Sequence, residues 1–326
     1  MSRRTPFVAT LVALPVLLGG CGLGESVVGI HDAPAESSEG ASVTEGTARD
    51  VAERVLGRVA EQRADEGKAT GEDRAELFSG PALREASAAA TSGDEPRRPA
   101  AEGKDLEVLA ISRGRDWPRA VLATSRVKDT QYLHVLVADR ADKPYTLFAD
   151  VPMAAGSSVP ALAPVAEGSG VRVTDKPDKE VATAVAVWTK GVAYPAPKKA
   201  PAQVSLEDAF SSALRKNAKA KDADLEDLAT YRQRQSTVDA ASVSFDLADG
   251  GQLSFVPLTR TDTITAKDKL KELKIEDETL EGVLDSATVE RGLSIKHAET
   301  LALVTPEAGK AKAVGVSDVL HSAKGS

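Results

Sequence analysis

Between residues 47 and 63, Val51, Val55, Leu56 and Val59 recur at three- and four-residue spacings, an apolar stripe that predicts an amphipathic helix. A second helix is predicted over 71–78. Pro81 opens a third through Leu83, Ala86 and Ala90, because proline is tolerated where a helix's first N–H lacks a partner anyway. After the polar stretch 91–104 the period changes. Residues 106–112 and 119–127 are short apolar runs between turn signals, 131–139 (QYLHVLVAD) alternates as a strand, and 144–151 follows the Asp142-Lys143-Pro144 turn. A short extended stretch at 171–173 closes this half.

The second half repeats the order. A helix over 178–192 carries Val181, Val185 and Trp188 on one face, and a linker rich in proline and lysine follows. Ser205, with Asp208 three residues on, is expected to cap a helix bearing Leu206, Phe210 and Leu214; another helix is expected over 223–234. Strands are predicted over 238–248 and 251–264, joined at Asp249-Gly250, a strong hairpin signal, and again over 288–304 and 310–321.

Helices followed by a meander of strands define an α+β chain, with helices on one face of an antiparallel sheet. This element order resembles the cystatin-like cone shared by nuclear-transport-factor-like and ketosteroid-isomerase-like proteins. The resemblance implies two tandem domains, 47–175 and 176–326, each a curved antiparallel sheet packed on helices around a pocket.

Residues 1–21 form a basic start (Arg3, Arg4), an apolar run from Pro6 to Leu18, and the small residues Gly19 and Gly20 before Cys21, the order of an export signal. The run is short of the about 20 apolar residues that a membrane-spanning helix needs. Leu18-Gly19-Gly20-Cys21 resembles the bacterial lipobox, which implies a signal peptide over 1–20, cleavage before Cys21, and a diacylglyceryl thioether on its sulfur. Two acyl chains give lasting attachment where one gives marginal binding. Arg3-Arg4 ahead of Phe7 approaches the twin-arginine export pattern with the phenylalanine displaced, so the export route stays open. Residues 21–46, rich in Gly, Ser, Glu and Ala, are expected to form a flexible tether. The hairpin Asp249-Gly250-Gly251 with Leu253 and Phe255, the Leu303-Val304-Thr305-Pro306 stretch and Val314-Gly315-Val316 resemble the ending of a group of actinobacterial lipoproteins with a domain of unknown function. That resemblance implies an envelope address and no particular activity.

Composition narrows the chemistry. The net charge of −8 becomes −10 once Arg3 and Arg4, the only charges in positions 1–20, leave with the leader. Such a body repels phosphate backbones, so nucleic acid is excluded as a partner, and attachment to a membrane must come from lipid rather than overall charge. Cys21 is the single cysteine, which excludes internal disulfides and cysteine-based zinc sites.

No metal or catalytic constellation stands out along the chain, and no cofactor is expected. The histidines His31, His134, His297 and His321 are not spaced as metal ligands on one element; His31 lies in the tether, and His134 shares a strand face with Tyr132 and Leu136. Ser125-x-x-Lys128 has the spacing of penicillin-recognising enzymes but falls on a strand end, where the two side chains cannot stack as on a helix. Neither a nucleophile elbow nor a phosphate loop is present. If the first domain holds a proton-transfer pocket, its candidates are Tyr132, His134, Tyr145 and Asp150, although Trp117, Tyr132, Tyr145 and Phe148 equally suit core packing. The lysine-rich runs 216–221 and 267–274 read as solvated helix faces. The sequence is thus read as a membrane-tethered, extracytoplasmic binding or assembly module without catalysis, with lipidation at Cys21 and envelope proteins as partners. The alternative is a small-molecule or isomerase/hydrolase-like pocket in the first domain.

Overall fold

A computed structural model describes residues 40–64, 68–93, 105–268, 273–275, 277–284 and 288–326, and its architecture is α+β. Helices α1 (Glu45–Ala64), α2 (Gly71–Leu77) and α3 (Gly80–Ser92) precede strands β1 (Glu107–Ile111), β2 (Arg119–Val127), β3 (Thr130–Ala138) and β4 (Thr146–Pro152), which form an antiparallel meander in that spatial order. Then come β5 (Val171–Thr174), α4 (Lys179–Gly191), α5 (Ala209–Asp224), β6 (Ala229–Thr237), β7 (Ser242–Asp246) and β8 (Gly251–Ala266). The chain ends with β9 (Leu273–Lys274), α6 (Glu278–Val283), β10 (Thr288–Val289), β11 (Gly292–Pro306) and β12 (Lys312–Gly325). The second sheet runs β12-β11-β8-β7-β5, with β6 pairing β8 beyond β7, and β9 pairs β10.

Alternation along the strands explains the layering. On the first sheet Ala120, Leu122, Leu133, Val135 and Val137 point one way, and on the second Val243, Phe245, Leu253, Phe255, Ala302 and Val304 point back at them in one shared core. Phe245 and Phe255 meet edge to face at 6.3 Å between centroids. The opposite face of the first sheet, with Val121, Ala123 and Leu136, is covered by the apolar stripe of α1 and by Leu77 and Phe78. The opposite face of the second, with Val256, Leu258, Leu301 and Leu303, is covered by Val181, Val185 and Trp188 of α4 and Leu214 of α5. The result is a stack of helices, sheet, sheet and helices. α3 lies beside β4 on the inner face of the second sheet: Glu85 accepts from the Thr300 and Ser317 hydroxyls, and Arg84 donates to the Glu299 carbonyl at 3.1 Å.

Several expectations are corrected. The boundary at 175/176 does not separate two cores, because the halves share the inter-sheet core and β5 pairs with β7 in the second sheet. The tether does not extend to residue 46: Ala41 bridges Arg113, the Ser42 N–H donates to the Ser112 carbonyl at 2.8 Å, and α1 begins at Glu45. The separate helix expected over 223–234 is absent: α5 ends at Asp224, and a strand follows whose inward residues are Ala229, Tyr231, Gln233 and Gln235. Because two of those four are glutamines, a search for apolar alternation overlooks it. The helix capped from Ser205 instead starts at Ala209, with Asp208 as its N-cap accepting from the Ser211 N–H at 2.7 Å. Leu273–Lys274, expected on a helix face, pairs as a strand with Thr288–Val289. Cys21, the signal peptide and His31 lie outside the described residues.

Candidate functional site

The outer face of the second sheet starts apolar and turns polar as the strands run under α5. On β8, Val256 and Leu258 are followed on the same face by Arg260 and Asp262; on β11, Leu303 and Leu301 are followed by Glu299 and His297. Register places Gln235 of β6 and His297 of β11 on either side of Arg260, Gln233 beside Asp262, and Asp318 of β12 beside Glu299. Arg260 is the hub. Its Nη1 donates to Glu299 Oε1 at 2.9 Å and to Asp318 Oδ2 at 2.5 Å, and its Nε lies 3.4 Å from Asp262 Oδ1. His297 Nδ1 is 2.7 Å from Asp318 Oδ1.

The helix above explains how this face is roofed. The buried stripe of α5 is Ser211, Leu214 and Ala218, and Lys221 falls where its next member would be. Trp188 Nε1 donates to Ser211 Oγ at 3.0 Å and so ties α4 to α5. Lys221 Nζ comes within 3.8 Å of Asp262 Oδ2 and lies 5.6 Å from the centre of the Tyr231 ring. Between helix and sheet is a chamber of about 210 Å³, lined by Phe210, Leu214 and Lys221 above and by Tyr231, Arg260 and Asp318 below.

Arg260 is shared among three carboxylates, of which Asp262 also has Lys221 and Asp318 also has His297 beside it, and Glu299 is served least. Glu299 is fully buried; burial first, and the neighbouring Asp318 charge second, push its pKa up to about 8, so it is protonated at neutral pH. Burial also works against the Asp318 carboxylate, but the His297 hydrogen bond and the Arg260 charge outweigh it and hold Asp318 below the usual range. Burial opposes the charge on Arg260 too, and the surrounding carboxylates more than restore it. Tyr231 is raised by burial and by the charge of Asp262.

The cluster has more buried polar atoms than partners among the described residues. Glu299 Oε2 and both ends of the Gln235 amide meet no hydrogen-bond partner, and Asp262 Oδ1 has only the ion pair with Arg260. Each such atom costs about 1–3 kcal/mol if left dry. Among the described residues no group of three or more His, Cys, Asp or Glu is placed to hold a metal ion. In the chamber, Arg260 occupies the place between the carboxylates that a cation would take.

The residues proposed from sequence assemble differently. His134 on β3 and Asp150 on β4 are register partners, and His134 Nδ1 is 3.1 Å from Asp150 Oδ1. The other ring nitrogen, Nε2, is 2.8 Å from Ser125 Oγ on β2, and Arg63 at the end of α1 donates to Asp150 Oδ2 at 2.9 Å. The order serine–histidine–aspartate is that of a hydrolytic relay. It is sealed, however: His134 is 0%, Ser125 2% and Asp150 3% exposed. Tyr132 stacks on the His134 ring at 6.3 Å, whereas Tyr145 is half-buried against the α1 core and is not part of the hydrogen-bonded chain. Sequence reading placed His134 and Asp150 but missed Ser125 and Arg63 as their partners, and it missed the chamber. A signal was available in the i, i+2 pairs Arg260–Asp262, His297–Glu299 and Gln233–Gln235, which put polar groups at two successive positions of one face on each of three strands.

Four clefts among the described residues are larger than the chamber, of about 620 Å³ beside the β3–β4 turn, about 490 Å³ between α4 and the β11–β12 turn, about 340 Å³ beside the end of β12 and about 290 Å³ between the ends of α4 and α5, and they involve neither cluster. The chain matches no protein-family model, no curated protein and no solved structure.

Proposed function

We propose that this chain is a lipid-anchored, extracytoplasmic binding module of the cell envelope, without catalysis, and that the chamber under α5 is its ligand site. The address rests on the leader and on Leu18-Gly19-Gly20-Cys21. The ligand site rests on one observation: buried polar atoms in excess of their partners stand in and beside a cavity walled by Tyr231, Arg260 and Asp262. Of the four atoms short of partners, Gln235 Oε1 and Asp262 Oδ1 accept, whereas Gln235 Nε2 and the protonated Glu299 Oε2 donate, so the complementary ligand is a small molecule that both donates and accepts hydrogen bonds. The cavity is smaller than the about 300 Å³ at which drug-sized pockets begin, which limits the ligand to a few heavy atoms. We also retain as a proposal that each half is a helix-on-sheet unit of the cystatin-like kind, the two stacked sheet to sheet. Envelope proteins are the expected macromolecular partners.

Two experiments test this reading. Cys21→Ser should release the protein from the membrane fraction; continued retention would remove the anchor. Thermal shift with small amines, amino acids and polyols should give a saturable rise in the wild type that Asp262→Asn reduces at least tenfold in apparent affinity. No response from any of the three classes would leave the chamber to water alone. The order Ser125–His134–Asp150 favours a second reading, a serine hydrolase that opens to admit substrate. Labelling of Ser125 by a fluorophosphonate would favour that reading; an unlabelled serine is the result expected here.

A further inference from the structure

The end of the body from which the chain runs back toward Cys21 carries an exposed tryptophan in a local patch of arginines. Gly40, the first described residue, accepts a hydrogen bond from the Gly114 N–H at 2.9 Å, so the chain toward the leader departs from the loop between β1 and β2. That loop, residues 113–119, reads RGRDWPR: three arginines, one aspartate and Trp117. In a body whose residues 40–326 carry −6, it is a local concentration of positive charge. Trp117 is 37% exposed, and it and Leu228 are the exposed large hydrophobic residues among those described.

The loop is held rather than loose. The Arg119 guanidinium lies 4.4 Å from the centre of the Trp117 ring and donates to the Arg115 carbonyl at 3.2 Å. Arg113 donates to the Gly168 carbonyl at 2.9 Å. The ring is therefore held at modest entropic cost with over a third of the residue open to solvent and a guanidinium against one face. An amphipathic aromatic ring flanked by arginines matches the boundary between lipid head groups and acyl chains, where indoles and arginines are both accommodated.

We infer that this loop is a second membrane contact, in which Trp117 enters an anionic lipid surface and Arg115 and Arg119 meet its head groups. The inference rests on the lipid anchor at Cys21. The segment from Cys21 to Gly40 spans at most about 65 Å even when fully extended. The loop is therefore confined near the bilayer, where even a weak contact is populated through its high effective concentration. The contact would turn a tethered body into an oriented one.

The test uses the lipidated protein reconstituted in vesicles of phosphatidylglycerol and phosphatidylcholine, with brominated acyl chains as quencher. Trp117 and Trp188 are the only tryptophans, and Trp188 is fully buried, so its emission is an internal reference. Comparison with Trp117→Phe isolates the Trp117 signal. Flotation with the vesicles together with loss of at least half of the Trp117 emission supports the inference, and Arg115→Glu should cut that quenching at least threefold. Flotation with Trp117 unquenched overturns the loop contact and leaves the anchor standing. Failure to float overturns the anchor and, with it, this inference.

Discussion

Replacing Glu299 by glutamine should change how stability depends on pH more than it changes stability itself. In the folded chain the Glu299 carboxyl holds its proton up to about 8, against 4.5 for the same group in water. The unfolded chain releases that proton near 4.5, so between these values the folded state binds more protons than the unfolded one. Stability conferred by the neutral carboxyl is complete below 4.5 and is lost as the pH climbs toward 8. The upper limit of the loss is about 5 kcal/mol, taking 1.36 kcal/mol for each tenfold change in proton affinity. Part of the titration falls on the neighbouring Asp318, so we expect about 2–3 kcal/mol to be measured for Glu299 alone. Glutamine keeps the acceptor oxygen that Arg260 Nη1 reaches at 2.9 Å and cannot ionise. Urea unfolding from pH 5 to pH 9 should find the two proteins within about 1 kcal/mol of each other at the acid end. The wild type should then fall below the variant as the pH rises. The held-down Asp318 contributes stability that is lost only as pH falls below the usual carboxylate range, outside this window. Parallel curves for the two proteins across pH 5–9 would refute the claim that Glu299 is protonated in the fold.

Three further outcomes follow from the packing. Asp150→Ala leaves Arg63 buried without its partner and should lower the unfolding free energy by about 3–5 kcal/mol; a loss below about 1 kcal/mol in urea would mean that the apolar stripe alone docks α1. Phe255→Ala opens the core between the sheets and should cost about 3–5 kcal/mol. Hydrogen exchange should accelerate in β2 and β3 as well as in β8, and a response confined to the second half would restore the idea of two separate cores. Gly251 has φ of +82°, and a Cβ there would sit 2.3 Å from the Thr305 carbonyl oxygen, so Gly251→Ala should cost more than about 1 kcal/mol; an unchanged melting temperature would contradict the turn geometry.

How much could be read in advance depended on whether an element's inward face was apolar. The stripe of Val51, Val55, Leu56 and Val59 and the alternation around His134 and Leu136 located α1 and β3 to within a few residues, because their buried sides are hydrocarbon. The sequence of β6 does not read as a strand because its inward positions include Gln233 and Gln235, and polar residues at period two look like surface. The same substitution of polar for apolar residues hid the chamber. Pairing across strands hid the rest: Ser125 and His134 are nine residues apart in sequence and Arg63 and Asp150 eighty-seven, and spacing along a single chain does not encode which strands will be neighbours. Sharing of one core by both halves was invisible for the same reason, since a strand buried against a helix and a strand buried against another sheet have the same pattern.

The position of the chamber follows from a mismatch of lengths. A strand of sixteen residues such as β8 runs about 50 Å, whereas α5, with the same number of residues, covers about 24 Å. A helical roof can therefore seal only part of the outer face of the second sheet. Under α4 the face is Val256, Leu258, Leu301 and Leu303, packed against Val181, Val185 and Trp188. Under α5, whose buried stripe gives way to Lys221, the strands change to Arg260, Asp262, His297 and Glu299. On the inner face the strands also turn polar at this level, but α3 continues the layer beside β4, and Glu85 accepts from the Thr300 and Ser317 hydroxyls. The half-roofed zone of the outer face is thus where this architecture can keep charged groups buried and still leave space beside them. A variant that lengthened the apolar stripe of α5, such as Lys221→Leu, should abolish any ligand response there, at a cost in stability because the buried Asp262 loses a neighbouring cation. Retention of that response in the variant would place the ligand site elsewhere on the body.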